Sequence, residues 1–428
     1  MEKRTPFPPV FWVANLTEVL ERFAYYGIYI PFGIYMEQLG RTKSELGFIQ
    51  SIFLFISYTV PVISGTFADK YGFKRVFIVS YLAYLPSILL LMVTKSFTGI
   101  AITMLCIGFA AGIFKPLVSG TMRVVTDKTN KTLGFGIFYW MVNIGATFGP
   151  IVAGMLRAVS WHQAFLVLAV AIGVMLLITI FFYKEPPREI EGATLREKFR
   201  DIYVALSDKK FAIFLLLLGI FWWVPFWSFF NLMSLYIDKN LDTARLYENL
   251  KSVLGTYLAQ KISHQDESGN WRILGETISS TGYFIMLFQV FVSRITEKTK
   301  AIPTFLMGFL IAAIGLLISG FARISAPAIV FMGIGLFAIG EMTLSPRIQE
   351  YITWLAPKEK AGLYMGSNFL SVGIGGFLSG ICTPIYGYFR DMGHPEYIWY
   401  MLAGVFLLGI LALHIFTRSM GEFKEMEA

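Results

Sequence analysis

Long runs without a charged side chain dominate the pattern of hydrophobic and polar positions in this chain. Eleven runs of at least 17 residues contain no Asp, Glu, Lys or Arg, and short charged segments separate them. Their bounds are 46–68, 76–94, 96–114, 132–156, 158–183, 211–237, 277–293, 301–322, 324–340, 361–389 and 397–417. A helix needs about 20 apolar residues to cross a hydrocarbon core of about 30 Å, so each run predicts a membrane-spanning helix.

A twelfth span is predicted from about Val10 to Met36, where Glu18, Glu21 and Arg22 interrupt an otherwise apolar and aromatic stretch. Twelve spans and their loops use the whole length and leave no soluble domain. The longest charged segment, 184–210, separates six spans from six. The prediction is therefore an all-α integral membrane protein with twelve transmembrane helices in two six-helix halves, residues 1–183 and 211–428, joined by a cytoplasmic linker.

Composition and charge agree with a multi-pass protein of the cell membrane. Only 15% of the residues are charged, against about 25% in soluble domains, and 56% are hydrophobic. One set of alternate loops, which includes both termini, holds 23 Lys and Arg, and the other set holds 11. The positive-inside rule then predicts that both termini are cytoplasmic. This distribution explains the net charge of +8 without a nucleic-acid partner.

Motifs for other kinds of chemistry are missing from the sequence. The two cysteines lie within spans, which excludes a disulfide-rich secreted protein, and the four histidines show no metal-ligand spacing. No Gly-Lys pair exists, which excludes a P-loop. We expect neither an enzyme nor a bound metal or cofactor. A membrane receptor or enzyme stays the alternative from another class, without a nucleophile and base to support it.

Five ionisable residues inside the predicted spans are the candidate functional groups: Glu18, Glu21, Arg22, Lys115 and Glu341. A charge near the bilayer centre costs at least about 2.5 kcal/mol, so such residues usually face an internal cavity. The first three share a helix face with Tyr25 by their i, i+3, i+4, i+7 spacing. They are either ion pairs that hold the helices together or a proton-responsive cluster, and we favour the second reading because buried pairs stabilise poorly.

A loop on the outer face, 238–276, contains apolar residues at helical spacing after Asp242-Thr243. The series is Leu246, Leu250, Val253, Leu254, Tyr257, Leu258 and Ile262. It predicts an amphipathic helix with an Asp242-Thr243 N-cap. The helix could pack on the rest of the protein, lie on the membrane surface or cover the outer mouth.

Several motifs resemble those of the proton-coupled oligopeptide transporters, a family of the major facilitator superfamily. Residues Glu18 to Gly27 resemble the ExxERFxYYG motif of its first helix, and 135–146 resemble the signature of its fifth helix. Lys115-Pro116 is similar to its fourth-helix motif, and Gly340-Glu341 with Ser345-Pro346 to its tenth. Residues 65–75 resemble the superfamily signature of a cytoplasmic latch, with Asp69, Lys74 and Arg75 at its polar positions.

The resemblance implies a major facilitator fold and a symporter that imports di- and tripeptides with protons by alternating access. Glu18, Glu21 and Arg22 would couple transport to protons. Lys115 would meet the peptide carboxylate or a glutamate of that cluster, and Glu341 would meet the peptide amino group. The resemblance also implies a substrate cavity lined by Tyr25, Tyr26, Tyr58 and Asn143. The coupling ion would be the proton, and a monomer would suffice for function.

Three positions in the second half depart from the family pattern and leave the substrate open. Asn231 stands where a carboxylate is usual, Asn368 where a tryptophan is usual, and Thr281-Gly282 where Asn-Pro is common. We keep both asparagines as candidate substrate contacts. Trp223 belongs to an aromatic face that either contacts substrate side chains or serves packing. The alternative function is proton-coupled transport of another zwitterionic or amphiphilic solute, including export of a drug or metabolite.

Overall fold

A computed structural model describes residues 5–127, 129–187, 195–355 and 361–421. Those residues form eighteen α-helices, a π-helical turn and a two-stranded hairpin. The helices before the hairpin are α1 (Pro9–Tyr29), α2 (Phe32–Gln38), α3 (Lys43–Tyr71), α4 (Phe73–Val93), α5 (Phe97–Val125), α6 (Lys131–Arg157), α7 (Trp161–Phe182), α8 (Leu195–Ser207), α9 (Lys209–Leu217), the π-turn (Leu218–Trp223), α10 (Val224–Asn240) and α11 (Thr243–Lys261).

After the hairpin, β1 (Ser263–Gln265) and β2 (Trp271–Ile273), the remaining elements are helical. They are α12 (Gly275–Ile278), α13 (Gly282–Thr296), α14 (Ala301–Phe321), α15 (Ile329–Leu355), α16 (Ala361–Ser379), α17 (Cys382–Asp391) and α18 (Tyr397–Met420). The described part of the chain is therefore all-α apart from one short antiparallel hairpin, in which His264 pairs with Arg272.

Eleven helical segments in the described ranges are long and apolar enough to cross a membrane, and they correspond to the eleven charge-free runs. The twelfth predicted span contains α1, whose 21 residues measure about 31 Å. It differs from the others by its three charged residues. The prediction of a multi-pass, all-α membrane fold is confirmed.

Four of the twelve predicted spans are interrupted rather than continuous. The span 10–36 is broken between α1 and α2. Lys209–Asn240 contains the π-turn, Gly275–Thr296 is broken between α12 and α13, and Gly366–Asp391 is broken between α16 and α17. Such breaks leave backbone groups outside the regular hydrogen-bond ladder, and discontinuous helices commonly mark the binding region of transporters. The apolar pattern of the sequence predicts each of these spans as one uninterrupted helix.

The chain divides into two compact units. Unit 1 comprises Met1–Ile30 and Ile52–Lys198, and unit 2 comprises Pro31–Ser51 and Phe199–Ala428. The segment 31–51, which lies in the first half of the sequence, thus belongs to unit 2 together with the later helices. The predicted limits of the two halves and of the linker stay a prediction. Within that linker the structure adds α8, which the sequence analysis did not predict.

Unit 1 is packed around aromatic side chains and closely approaching helices. Phe77 of α4 lies 5.5 Å from Phe114 of α5 and 5.3 Å from Tyr183, measured between ring centroids. Serine side chains cap the N-termini of two of its helices. The Ser96 hydroxyl accepts a hydrogen bond from the Gly99 N–H, and the Ser160 hydroxyl accepts one from the Gln163 N–H.

Glycines let α6 approach α1 in unit 1. A Cβ atom at Gly145 would collide with the Val19 carbonyl, and one at Gly149 would collide with the Phe23 carbonyl. Both glycines therefore fix how near the charged face of α1 lies to α6.

Unit 2 is built on an aromatic core. The rings of Phe229 and Phe337 stack at 4.0 Å, and Trp222 of the π-turn lies 5.3 Å from Phe406. Helix α14 packs against α15, and a Cβ at Gly340 would come within 2.8 Å of the Ala312 backbone nitrogen. The core therefore links the π-turn to α15 and α18.

The outer-loop helix is confirmed, and its start is the predicted one. The Asp242 carboxylate accepts hydrogen bonds from the backbone of Ala244 and Arg245, as expected of an N-cap. The predicted apolar face does not continue, however. Gly255 has a φ of 79°, which breaks the helical repeat. Within the series, Leu246 is buried, whereas Val253, Leu254, Tyr257 and Leu258 are exposed.

Candidate functional site

The charged face of α1 forms a compact buried cluster in unit 1. Arg22 Nε lies 2.7 Å from Glu21 Oε2 and 3.0 Å from Glu18 Oε1. The three side chains expose at most 7% of their surface. Two carboxylates share one guanidinium, so when all three are ionised the cluster has a net charge of −1 in a low-dielectric setting. Such a cluster favours the uptake of one cation or one proton.

Lys115 of α5 lies near this cluster, beside the same Tyr25 ring, but forms no ion pair with it. Its Nζ donates a hydrogen bond of 3.0 Å to the Ser57 carbonyl and lies 3.8 Å from the centre of the Tyr58 ring. The Tyr25 ring centre is 4.8 Å away. No carboxylate of the described chain lies within 4.0 Å of this ammonium. Two aromatic faces and one carbonyl therefore hold Lys115, an arrangement that stabilises a cation without neutralising it.

Tyr25 connects the two charged groups. Its ring lies beside both cations, with the Arg22 guanidinium carbon 5.5 Å from the ring centre. The residue is fully buried, and its hydroxyl has no hydrogen-bond partner in the described part of the chain. Tyr26 is half-buried and stands at an edge-to-face angle to Tyr25. The first-helix motif thus places its aromatic pair directly against the charged groups.

Asn143 is the remaining candidate in unit 1. It is buried, with 6% of its surface exposed, and its amide donates to the Tyr139 carbonyl one helical turn earlier. This bond fixes the amide nitrogen within α6.

Unit 2 contains Glu341, Trp223, Asn231 and Asn368. Glu341 lies on α15 beside Thr281, the residue that precedes α13, and its Oε2 is buried without a hydrogen-bond partner in the described ranges. Trp223 ends the π-turn and packs on Gly375 of α16. Its indole N–H likewise has no partner among the described residues.

The two asparagines of unit 2 differ in how they are held. The Asn231 side-chain amide donates to the Ser379 hydroxyl at 3.1 Å, and the Asn231 backbone carbonyl accepts from the Gln50 side chain at 3.3 Å. Gln50 in turn accepts from Thr383 at 2.6 Å. Asn231 therefore belongs to a buried polar network at the break between α16 and α17. Asn368 is buried with its Oδ1 unpartnered in the described chain, which leaves that oxygen available to a ligand.

Two of the predicted latch residues, Lys74 and Arg75, differ in their contacts. Lys74 Nζ donates to the Ile180 carbonyl at 2.8 Å, and Arg75 is exposed at the start of α4. The side chain of Asp69 lies outside the described residues.

A carboxylate that was not predicted from the sequence lies at the start of α4. Glu185 accepts the backbone N–H groups of Phe73 and Lys74, both at 2.8 Å. A carboxylate at a helix N-terminus is favourable because it satisfies free N–H groups and complements the helix dipole.

Two further polar features were not singled out from the sequence. In unit 2 the Glu37 carboxylate accepts from Arg390 at 2.7 Å and from Lys43 at 2.9 Å. Burial alone would raise the pKa of Glu37, but these two hydrogen bonds hold it below its usual value. Glu276 of α12 is fully buried. Their position in the sequence was the available signal, because Glu37 directly follows the predicted span 10–36 and Glu276 directly precedes the run 277–293.

Sequence comparison places the chain among transporters. The model of the Major Facilitator Superfamily matches residues 14–258. The chain is 23% identical over 431 residues to the uncharacterized MFS-type transporter YqjV of Bacillus subtilis, covering 98% of this chain and 96% of that protein. It is also 23% identical to the quinolone resistance protein NorA of Staphylococcus aureus, covering 93% of this chain and 94% of NorA.

Structural comparison shows the same fold in solved transporters. A POT family transporter in complex with 5-aminolevulinic acid matches with a TM-score of 0.74 at 18% identity, over 96% of both chains. A peptide transporter POT in complex with sulfate matches with a TM-score of 0.75 at 18% identity, over 98% of this chain and 96% of the other. The nucleoside transporter NupG matches with a TM-score of 0.76 at 12% identity, over 95% and 99%.

These matches confirm the predicted fold, and they agree with a transporter rather than an enzyme. At such identities the structural likeness concerns the fold and leaves the transported solute open. The superfamily match covers more than half of the chain. The chain is a multi-pass membrane transporter that belongs to the Major Facilitator Superfamily.

Proposed function

We propose that the protein is a proton-coupled symporter that imports di- and tripeptides by alternating access. The supporting observation is the pair of charged groups in unit 1, namely the Glu18–Glu21–Arg22 cluster and the ring-held ammonium of Lys115. The first can take up a proton, and the second is a cation without a carboxylate within 4.0 Å in the described chain. Solved POT family proteins that share the fold include one in complex with a thioalcohol-conjugated peptide.

In this proposal the proton is the coupling ion. Protonation of Glu18 or Glu21 leaves Arg22 with one carboxylate instead of two, which changes the electrostatic balance of the α1 face. Lys115 binds the carboxylate of the peptide, and Glu341 binds its amino group. Tyr25, Tyr26, Tyr58, Asn143, Trp223 and Asn368 contact the remainder of the peptide, and both termini face the cytoplasm. Asn231 is also a proposed substrate contact; its side-chain amide donates to Ser379 at the end of α16, and its backbone carbonyl accepts from Gln50.

Purified protein in right-side-out liposomes tests this function. A potential of about 100 mV and one pH unit together provide about 3.7 kcal/mol per proton, enough for accumulation of a few hundredfold. We expect an acidic exterior and a negative interior to drive uptake of some members of a dipeptide library. The proposal fails if no dipeptide accumulates above the level in protein-free liposomes.

Two substitutions test the assigned contacts. Lys115→Ala and Glu341→Ala should each weaken dipeptide binding about 10- to 100-fold, because each removes a charge-assisted hydrogen bond to the peptide. Thermal stabilisation by added dipeptide measures this affinity. Lys251→Ala, in the outer loop, is the matched control. Normal affinity in both site variants would disprove these two roles.

A second candidate function is export of an amphiphilic drug-like solute in exchange for protons. The similarity to quinolone resistance proteins over nearly the full length supports it, as does the replacement of two family positions by Asn231 and Asn368. The same liposomes separate the two functions. Under an acidic exterior a symporter accumulates dipeptide, whereas a drug–proton antiporter speeds the loss of preloaded quinolone.

A further inference from the structure

An apolar groove of about 440 Å³ lies on unit 1 between α3, α4 and α5. Apolar and aromatic side chains form most of its wall, and several are largely exposed, including Val79 at 56% and Phe109 at 49%. The polar lining residue Ser64 has its hydroxyl bonded to the Gly112 carbonyl. All three helices are membrane-spanning, so the groove faces a hydrocarbon medium along most of its length.

The groove ends at positive charge. Arg75, in the first turn of α4, lines it together with Tyr71, the last residue of α3. Lys70 Nζ lies 5.2 Å from the centre of the Tyr71 ring. Arg75 and Lys70 are both exposed, and no carboxylate of the described ranges lies within 4.0 Å of either. Lys74 differs, because its ammonium is bonded to the Ile180 carbonyl.

An apolar groove with two cations at one end favours a lipid with an anionic headgroup as its occupant. An acyl chain suits the apolar wall, and the phosphate of a lipid headgroup suits the two exposed cations at its end. None of the described lining residues is acidic, so this part of the groove offers no carboxylate to a choline or ethanolamine ammonium. The loop between α3 and α4 belongs to the side with the larger number of Lys and Arg, which is predicted to be cytoplasmic, and the cytoplasmic leaflet is rich in anionic lipid.

We propose that this groove is a binding site for one anionic phospholipid. The acyl chain lies against Val60, Phe67, Val79 and Phe109, and the headgroup phosphate is bound by Arg75 and Lys70. All of these residues belong to unit 1.

Native mass spectrometry of the full-length protein tests the proposal, with phosphatidylglycerol and phosphatidylcholine as probes. The wild type should retain one phosphatidylglycerol in preference to phosphatidylcholine. One surface cation contributes about fivefold to the binding of anionic lipid, so Arg75→Gln should lower that preference about fivefold, and a further Lys70→Gln should lower it again. Val79→Trp fills the groove and should remove the retained lipid whatever its headgroup.

Arg123→Gln is the matched control, because Arg123 is an exposed arginine in the last turn of α5 on the same predicted side and does not line the groove. It should bind phosphatidylglycerol as the wild type does. Equal losses in Arg75→Gln and Arg123→Gln would show general surface attraction and overturn the proposal. Equal retention of the two lipids by the wild type would also overturn it. A dimer that Val79→Trp abolishes would identify a second copy of the chain as the occupant, and the proposal would be wrong.

Discussion

At the scale of single residues, the buried ion cluster of α1 is the feature with the clearest chemical consequence. Two carboxylates and one guanidinium are almost completely removed from solvent. Buried ion pairs rarely stabilise a protein more than apolar packing does, so their presence favours a functional explanation. The cluster also differs from Lys115, whose ammonium contacts ring faces and a carbonyl and has no carboxylate within 4.0 Å in the described chain.

Glu21 is the carboxylate whose replacement tests proton coupling. Glu21→Gln keeps the shape of the side chain but cannot exchange a proton, so we expect proton-driven accumulation of substrate to fall to the equilibrium level. Counterflow exchange needs no net proton movement and should persist. Both are measured as uptake of labelled substrate in liposomes.

The control for this experiment is Glu248→Gln, which alters an exposed carboxylate of α11 paired with Lys251. It should accumulate substrate like the wild type. Accumulation by Glu21→Gln at the wild-type level would remove Glu21 from the coupling role.

Tyr58 tests how the Lys115 ammonium is held. Tyr58→Leu removes the ring that lies 3.8 Å from Nζ, whereas Tyr58→Phe keeps it. A cation–π contact contributes about 0.5–2 kcal/mol, so the leucine variant should be less stable than the phenylalanine variant by that amount. The apparent melting temperature in detergent measures the difference. Equal temperatures for the two variants would show that the ring face contributes nothing.

The limits of sequence reasoning are visible in individual residues. The helical spacing of Glu18, Glu21 and Arg22 was enough to predict one shared face, because their contacts are local. Glu185 was missed because it caps a helix more than 100 residues earlier in the chain. The substrate contact of Asn231 stays a prediction, and its hydrogen bond to Ser379 depends on tertiary packing that no local pattern shows.

At the scale of elements, the charge-free runs predicted the spans well, since a membrane helix must satisfy its own backbone and exclude charge over its length. The breaks within spans were not predictable in this way. The π-turn and the gap between α12 and α13 contain apolar or small residues that fit a continuous helix equally well, and only packing within unit 2 decides between the two.

Close packing of α6 on α1 gives a prediction at this scale. A methyl group at Gly149 would collide with the Phe23 carbonyl, so Gly149→Ala must push α6 away from α1. Overpacking of this kind costs about 1–3 kcal/mol. We expect a lower apparent melting temperature and weaker transport, because the helix that bears the charged cluster is displaced.

Gly136 of the same helix is the matched control. No atom lies within 4 Å of a Cβ built there. Gly136→Ala should be neutral or stabilising by up to about 1 kcal/mol, as alanine favours the helical conformation. A loss of stability as large in Gly136→Ala as in Gly149→Ala would show that helix flexibility, and not close contact, explains the role of Gly149.

At the scale of the whole molecule, the assignment of residues 31–51 to unit 2 is the main departure from a simple division of the sequence. The Glu37 carboxylate binds Lys43 of α3 and Arg390 of α17, and it thereby ties this segment to a helix about 350 residues later. The Gln50–Thr383 hydrogen bond makes a second connection to α17. Hydrophobic periodicity does not report pairings over such a separation, so the sequence placed 31–51 with its neighbours in the chain.

The Glu37 ion pairs give a prediction for the dependence of stability on pH. The pKa of Glu37 in the folded protein lies below its ordinary value of about 4.3. A carboxyl group with a lowered pKa contributes stability at pH values above that ordinary value, and the contribution is lost as the pH falls through the lowered pKa. The wild type should therefore exceed Glu37→Gln in apparent melting temperature by a constant amount above about pH 5, and the difference should disappear as the solution is acidified from there. Glu248→Gln, whose carboxylate is 63% exposed, should differ little from the wild type over the same range. A difference between the wild type and Glu37→Gln that does not change with pH would mean that the side chain stabilises unit 2 through its packing and not through its charge.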